Sequence, residues 1–103
     1  MTRGYFLAEA ERIVTGEREQ YYGSPEDNFD VIARLWEAYK GIPFSPVDVA
    51  MMMILLKLAR IRSGPGTPDS FVDIAGYAAC AGEIWAKRGV KDGGMDGNQS
   101  GSV

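Results

Sequence analysis

The sequence predicts an all-α fold, a compact bundle of about four helices. Apolar residues recur at spacings of three and four, and no segment shows the alternation of a half-buried strand. A hydroxyl residue followed by proline, with an acid one or two positions later, occurs at 24–27, 45–48 and 67–70. This pattern indicates helix starts, because the hydroxyl caps free amide groups and proline fits the first turn.

The first two predicted helices are amphipathic. The first covers about residues 3–19, and the second begins at Ser24 and ends at Gly41. The apolar side of the first consists of Phe6, Ala10, Ile13 and Val14. The apolar stripe of the second consists of Phe29, Ile32, Trp36 and Tyr39. Each helix should therefore bury one side.

The third predicted helix, about residues 45–62, contains "VAMMMILLKLAR" and is apolar nearly all round. We expect such a helix to be the central one, covered on several sides. Its three consecutive methionines allow two interpretations. They fill the core of a monomer, or they complete the core by forming a homo-oligomer.

The fourth predicted helix, residues 68–88, follows the linker "SGPGTP". Its regular apolar stripe consists of Phe71, Ile74, Ala78, Ala81 and Trp85. Residues 89–103 offer almost nothing to bury and are predicted to form a flexible, disordered tail. A chain of 103 residues supports one core, so residues 1–88 should form a single helical domain.

Composition narrows the classes of function. The formal charge is −3, so nonspecific attraction to DNA is not expected. The absence of histidine removes the usual general base and leaves carboxylates as ligands for a hard cation such as Mg²⁺. Cys80 is the single cysteine, which fits a reduced, cytoplasmic setting. No apolar run is long enough to cross a membrane.

Several charged residues lie at spacings that place them on shared helix faces. Asp69 and Asp73 share a face with Gly76 and Cys80, and Asp30 shares a side with Arg34. Lys57 and Arg60 interrupt the apolar third helix. One arrangement has the acids of the second and fourth helices converging with Lys57 and Arg60 across a groove. The alternative is an ordinary surface, with an exposed Asp30–Arg34 pair, Asp69 at a helix start and Lys57 extending to solvent.

Three stretches carry a resemblance that covers about residues 21–83: "YYGSPEDNF", "DVAMMMILLKLARI" and "DSFVDIAGYAA". They resemble a family of small phage and prophage proteins of uncharacterised function. More distantly, the chain is similar to phage nucleotide-modification-associated helical domains, which share the layout YG, K-x-x-R-I and D-x-x-x-D-x-x-x-Y. Those domains are in turn similar to the MazG-like all-α nucleoside triphosphate pyrophosphohydrolases.

The resemblance implies a nucleotide or other phosphorylated ligand. Lys57 and Arg60 would contact phosphates, Asp69 and Asp73 would lie near a metal or a ribose, and Tyr21 or Tyr22 would stack on a base or pack against the next helix. The predicted ligand-binding residues are Tyr22, Asp30, Arg34, Lys57, Arg60, Asp69, Asp73 and Tyr77. For an enzyme, the predicted Mg²⁺ ligands are Asp27, Asp30, Asp69 and Asp73.

Three functions follow. The first is a nucleotide-binding protein that sequesters a nucleotide immune signal in the host cytoplasm, with no cofactor. The second is a Mg²⁺-dependent pyrophosphohydrolase, and the third is an acidic inhibitor of a host defence protein. The MazG-like enzymes hold Mg²⁺ with a Glu-Glu-x-x-Glu and a Glu-x-x-Asp motif. This chain departs from both, with Asp69 and Asp73 four residues apart, which favours sequestration.

Overall fold

The computed structural model describes residues 1–88, which form five helices. They are α1 (Arg3–Thr15), α2 (Glu17–Tyr22), α3 (Pro25–Lys40), α4 (Pro46–Ser63) and α5 (Pro68–Arg88). No strand occurs among the described residues, so the all-α prediction is confirmed. The predicted tail, residues 89–103, lies outside the described part of the chain. None of the described helices is both long and apolar enough to cross a membrane.

Helices α3, α4 and α5 begin at the prolines as expected, and the hydroxyl caps form at α3 and α4. The hydroxyl of Ser24 accepts a hydrogen bond from the Asp27 amide at 3.2 Å. At α4 the cap is reciprocal, since Ser45 accepts from the Asp48 amide at 3.0 Å while the Asp48 carboxylate accepts from the Ser45 amide at 2.9 Å. Such caps satisfy amides that have no partner inside the helix.

The first predicted helix is broken in two at Gly16. A Cβ atom at this position would lie only 2.6 Å from the carbonyl oxygen of Arg12, so the backbone path requires glycine. The chain resumes as α2, a helix of six residues that ends at Tyr22. The break is a correction to the single helix expected over residues 3–19, and it changes the direction of the segment that follows.

Helix α5, and not α4, is the central helix. It contributes six of the buried residues and packs against α4, α1 and α3. On α4 only Pro46, Val49 and Ala50 are buried, all within its first two turns. The prediction that the nearly all-apolar helix would be covered on several sides is therefore wrong, because much of its apolar surface faces outward.

The core is built mainly from small residues. Ala33, Val49, Ala50 and Ile84 have no exposed surface, and Phe29, Cys80 and Ala81 complete the buried cluster. Alanine at these positions lets α3, α4 and α5 approach closely. The core therefore depends on the fit of a few side chains, because a small domain buries a limited fraction of its surface.

The buried face of α5 shares Ala81 with the stripe predicted for it but otherwise differs. Phe71 and Trp85 are exposed by 51% and 41%, whereas the buried face includes Gly76, Cys80 and Ile84. The face that carries Asp73 thus points into the molecule. Tyr39 of α3 was likewise predicted to pack and is exposed. In α5, the large rings of Phe71 and Trp85 lie at the edge while small residues occupy the helix contacts.

Replacing Ile84 by alanine should lower the free energy of unfolding by about 2–5 kcal/mol, because it opens a cavity in a fully buried site. Ile42→Ala is the matched control, since Ile42 lies in the α3–α4 loop with half of its surface exposed. Its effect should stay below about 1 kcal/mol. Urea denaturation followed by circular dichroism measures both, and equal losses would contradict the position of the core.

Candidate functional site

A cavity of about 230 Å³ lies where α1, α2, α3 and α5 meet, with Lys57 of α4 at its edge. Its apolar lining comes mainly from α1 and α5 and includes Ile13, Val14 and Val72. The polar and aromatic lining consists of Arg18, Glu19, Tyr22, Asn28, Phe29, Lys57, Asp73 and Tyr77. An apolar cavity with a few convergent polar groups is the usual form of a small-molecule site.

An ion pair between Lys57 and Asp73 lies on the wall of this cavity. The Lys57 Nζ is 2.9 Å from the Asp73 Oδ2, and the two side chains are 15% and 34% exposed. Helical spacing places Lys57 on the same side of α4 as the buried Ala50 and the half-buried Met53, which turns it toward α5. Because Asp73 is partly exposed, the pair adds about 1 kcal/mol or less to stability. Its chemical importance is that it presents a cation and an acceptor to the cavity.

Aromatic rings form the other distinctive part of the cavity. The Phe29 and Tyr77 rings lie 6.0 Å apart between centroids, joining α3 to α5. Tyr22, the last residue of α2, is exposed, and the guanidinium carbon of Arg18 lies 5.4 Å from the centre of its ring. Such an arrangement is a cation–π contact. The cavity therefore has a ring pair inside, formed by the buried Phe29 and the half-buried Tyr77, and a stacking surface at its mouth.

Gly76 allows α1 to approach α5 beside the cavity. A Cβ atom on Gly76 would lie 3.1 Å from a methyl carbon of Val14, which is tighter than an ordinary contact. One turn later, Cys80 also lines the cavity and is buried. Burial, reinforced by the charge of Glu83, raises the pKa of the Cys80 thiol. Cys80 is therefore a neutral, unreactive wall of the cavity at physiological pH.

The structure brings together four of the eight predicted ligand-binding residues: Tyr22, Lys57, Asp73 and Tyr77. The other four do not line the cavity: Asp30, Arg34, Arg60 and Asp69. Arg34 instead donates a hydrogen bond to the Phe44 carbonyl at 2.7 Å and lies 3.6 Å from the Glu37 carboxylate. The predicted convergence across a groove is thus present for Lys57 and Asp73 alone.

The four predicted metal ligands do not gather in one place. Among residues 1–88, no group of three or more Cys, Asp or Glu lies close enough to hold a metal ion. The reason is the direction of α3. Glu26, next to Asp27, bonds Arg88 at 2.6 Å, whereas Asp69 lies at the other end of α5, about 28 Å away along the helix. This corrects the predicted set Asp27, Asp30, Asp69 and Asp73.

Sequence reasoning missed Arg18, Glu19 and Asn28, which also line the cavity. Two of them belong to α2, whose direction depends on the break at Gly16. The glycine in "VTGERE" is the signal that could have indicated this break. If the break is not recognised, the sequence predicts that Arg18 and Glu19 lie at the exposed end of a single helix.

Comparison with known proteins identifies the family of this chain. A family model described as "Domain of unknown function (DUF6378)" matches residues 5–85, a range that contains every residue lining the cavity. The chain belongs to this family. No solved structure matches it.

Two curated relatives in this comparison are phage proteins. The chain is 53% identical over 73 residues to the Gene 55 protein of Mycobacterium phage L5, covering 70% of this chain and 47% of that protein. It is 46% identical over 79 residues to the Gene 55 protein of Mycobacterium phage D29, covering 77% and 52%. The chain therefore spans about half the length of the curated relatives it matches. The predicted membership of a helical phage protein family is confirmed.

Cys80 should react with a thiol reagent such as dithionitrobenzoate at least about tenfold more slowly in the folded protein than in guanidinium chloride, because it is buried and its pKa is raised. The folded-state rate should rise with pH as the thiolate forms. A single cysteine makes the absorbance signal unambiguous. Equal rates at neutral pH in both solvents would show that Cys80 is accessible and would contradict this description of the cavity wall.

Proposed function

We propose that this protein binds a nucleotide in the cavity between α1, α2, α3 and α5 and retains it unaltered. The observation that carries the proposal is the Lys57–Asp73 pair in a cavity that also contains aromatic rings. A nucleotide has an anionic end, a sugar with hydroxyl groups and a flat base. The cavity offers a group suited to each of these parts.

The anionic end of the nucleotide would bind to Lys57 and Arg18, the two cations of the cavity lining. A bound phosphate would attract the Lys57 ammonium away from Asp73, since both anions compete for one cation. The Asp73 carboxylate would then be available to accept hydrogen bonds from sugar hydroxyls. The pair, already formed at 2.9 Å, keeps both groups in position while the cavity is empty.

The base of the nucleotide would stack on the ring of Tyr22. Stacking of a base on an aromatic side chain contributes about 1–3 kcal/mol and tolerates different bases. Tyr22 is exposed at the cavity mouth, so its ring is accessible without a change of fold. The cavity volume of about 230 Å³ is below the roughly 300–1,000 Å³ of drug-sized sites. It would therefore enclose part of a nucleotide, with the remainder lying against Tyr22.

Retention, in preference to hydrolysis, is supported by the position of the acids. Asp73 is engaged with Lys57, while Asp27, Asp30 and Asp69 lie outside the cavity lining. The relatives named above are phage proteins. A phage protein that holds a nucleotide signal of the host's immune system would remove that signal without any chemical step. Sequestration of such a signal is the role we propose.

The proposal is tested by incubating the purified protein with nucleoside triphosphates and with cyclic or ADP-ribose-type nucleotides, with and without Mg²⁺. Bound and free fractions are separated, and each species is identified by mass. We expect stoichiometric binding and recovery of the intact nucleotide from denatured protein. Pyrophosphate and monophosphate formed only with Mg²⁺ would identify a pyrophosphohydrolase instead. No binding at all would overturn the nucleotide proposal and favour an inhibitor of a host protein.

Tyr22→Ala should weaken nucleotide binding by about 10- to 100-fold, because it removes the stacking ring. Tyr39→Ala is the matched control, since Tyr39 is an exposed tyrosine of α3 that does not line the cavity. Isothermal titration calorimetry with the nucleotide that the binding experiment identifies measures the affinity of both variants. Equal affinity of the Tyr22 variant and the unmodified protein would place the base elsewhere.

Lys57→Gln should weaken binding at least about tenfold and reduce its salt dependence, because one phosphate contact is lost. Lys40→Gln removes the same charge at the exposed end of α3 and should leave the affinity unchanged. Titrations at two ionic strengths separate a local contact from a general charge effect. If both variants bind equally well, Lys57 is only a structural partner of Asp73.

A further inference from the structure

The outward face of α4 is an apolar surface that no other described helix covers. Met51, Leu55 and Leu58 are exposed by 44%, 62% and 48%, and Met52 and Leu56 beside them are also exposed. The inward side of the same helix is formed by Val49, Ala50 and Met53, which belong to the core or pack against it. Monomeric proteins seldom leave a continuous apolar stripe of this kind in water.

The spacing along this face is that of a helix–helix seam. Asp48, Met51, Leu55, Leu58 and Arg62 follow one another at intervals of three, four, three and four residues. These intervals are the a and d positions of a heptad, which form the line of contact between two packed helices. All five side chains belong to exposed residues. The seam is about 21 Å long, or four helical turns.

The charges at the two ends of the seam identify the partner. Asp48 and Arg62 lie seven residues to either side of Leu55 and have opposite sign. A second α4 running antiparallel would bring each Asp48 near the partner subunit's Arg62, twice in one interface. A parallel pair would bring like charges together, which is unfavourable. A surface that complements itself in this way fits a two-fold dimer.

Neither Asp48 nor Arg62 has all of its charged atoms paired within the described part of the chain. One oxygen of the Asp48 carboxylate accepts from the Ser45 amide, which leaves the other oxygen for a second partner. Arg62 forms no ion pair with the acidic side chains that the structure describes. We propose that this face of α4 binds a second copy of the chain, with the two helices antiparallel and the two-fold axis near Leu55.

The first test is sedimentation equilibrium of the full chain from micromolar to near-millimolar concentration. A dimer is expected, and Leu55→Asp should raise its dissociation constant by about 100-fold, because two carboxylates would face each other at the centre of the interface. Leu7→Asp is the matched control, since Leu7 is an equally exposed leucine on α1, a helix that does not contact α4. A monomer at every concentration would overturn the proposal.

Arg62→Glu provides a second variant that leaves the apolar face intact. It places like charges at both ends of the antiparallel seam and should weaken the dimer at least about tenfold at low salt, with a smaller effect at high salt. Circular dichroism verifies that each variant is folded. If the wild type is a dimer but neither Leu55→Asp nor Arg62→Glu weakens it, the dimer uses another surface and the proposal is wrong.

Cross-linking tests the direction of the helices. Met51→Cys and Arg62→Cys are made separately in a Cys80→Ala background and treated with a short bifunctional maleimide. In the antiparallel dimer each cysteine lies more than about 10 Å from its own counterpart but close to the other position of the partner. Links should therefore form mainly when the two proteins are mixed. Efficient links within each single variant would indicate a parallel pair and overturn the arrangement.

Discussion

Helices α4 and α5 pack around Val49, Ala50 and Ile84, all of which are fully buried. This contact controls the position of the other functional elements. It sets Lys57 opposite Asp73, and it leaves the second side of α5 for α1, where Gly76 admits Val14 at close range. A larger residue in place of Ala50 or Gly76 would separate the helices, because the packing density of a core leaves no room for it.

The same packing explains why large apolar residues lie at the surface. The helix contacts are made by alanine, glycine and valine, which bring the backbones near each other but bury little area per residue. Phe71, Trp85 and Leu55 are consequently excluded from the centre and remain partly exposed. In such a fold the helices approach closely, while part of the large apolar surface remains exposed.

Local signals in the sequence predicted most of the helices but neither the break at Gly16 nor the buried face of α5. The Ser-Pro motifs located the starts of α3 and α4, because a cap is made within a few residues. The buried face of α5 could not be read in the same way. Gly76 and Cys80 carry much less apolar side-chain area than Phe71 and Trp85, although close approach to α1 requires a small residue at Gly76. Lys57 and Asp73 were found because charges on an apolar helix demand a partner. Arg18 was missed because its position depends on the backbone turn at Gly16.

Both proposals involve helix α4, because its two opposite sides face different environments. Lys57 points to the cavity, whereas Leu55 and Leu58, its close neighbours in sequence, point outward. A helix that must bury one side in its own chain and offer the other to a second chain needs apolar residues nearly all round. Of its charged residues, Lys57 lines the cavity, and Asp48 and Arg62 lie at the two ends of the outward seam. Under the two proposals, this double demand would explain why α4 is apolar nearly all round although it is buried only near its start. The proposed ligand site and the proposed dimer surface would then lie on opposite sides of one helix.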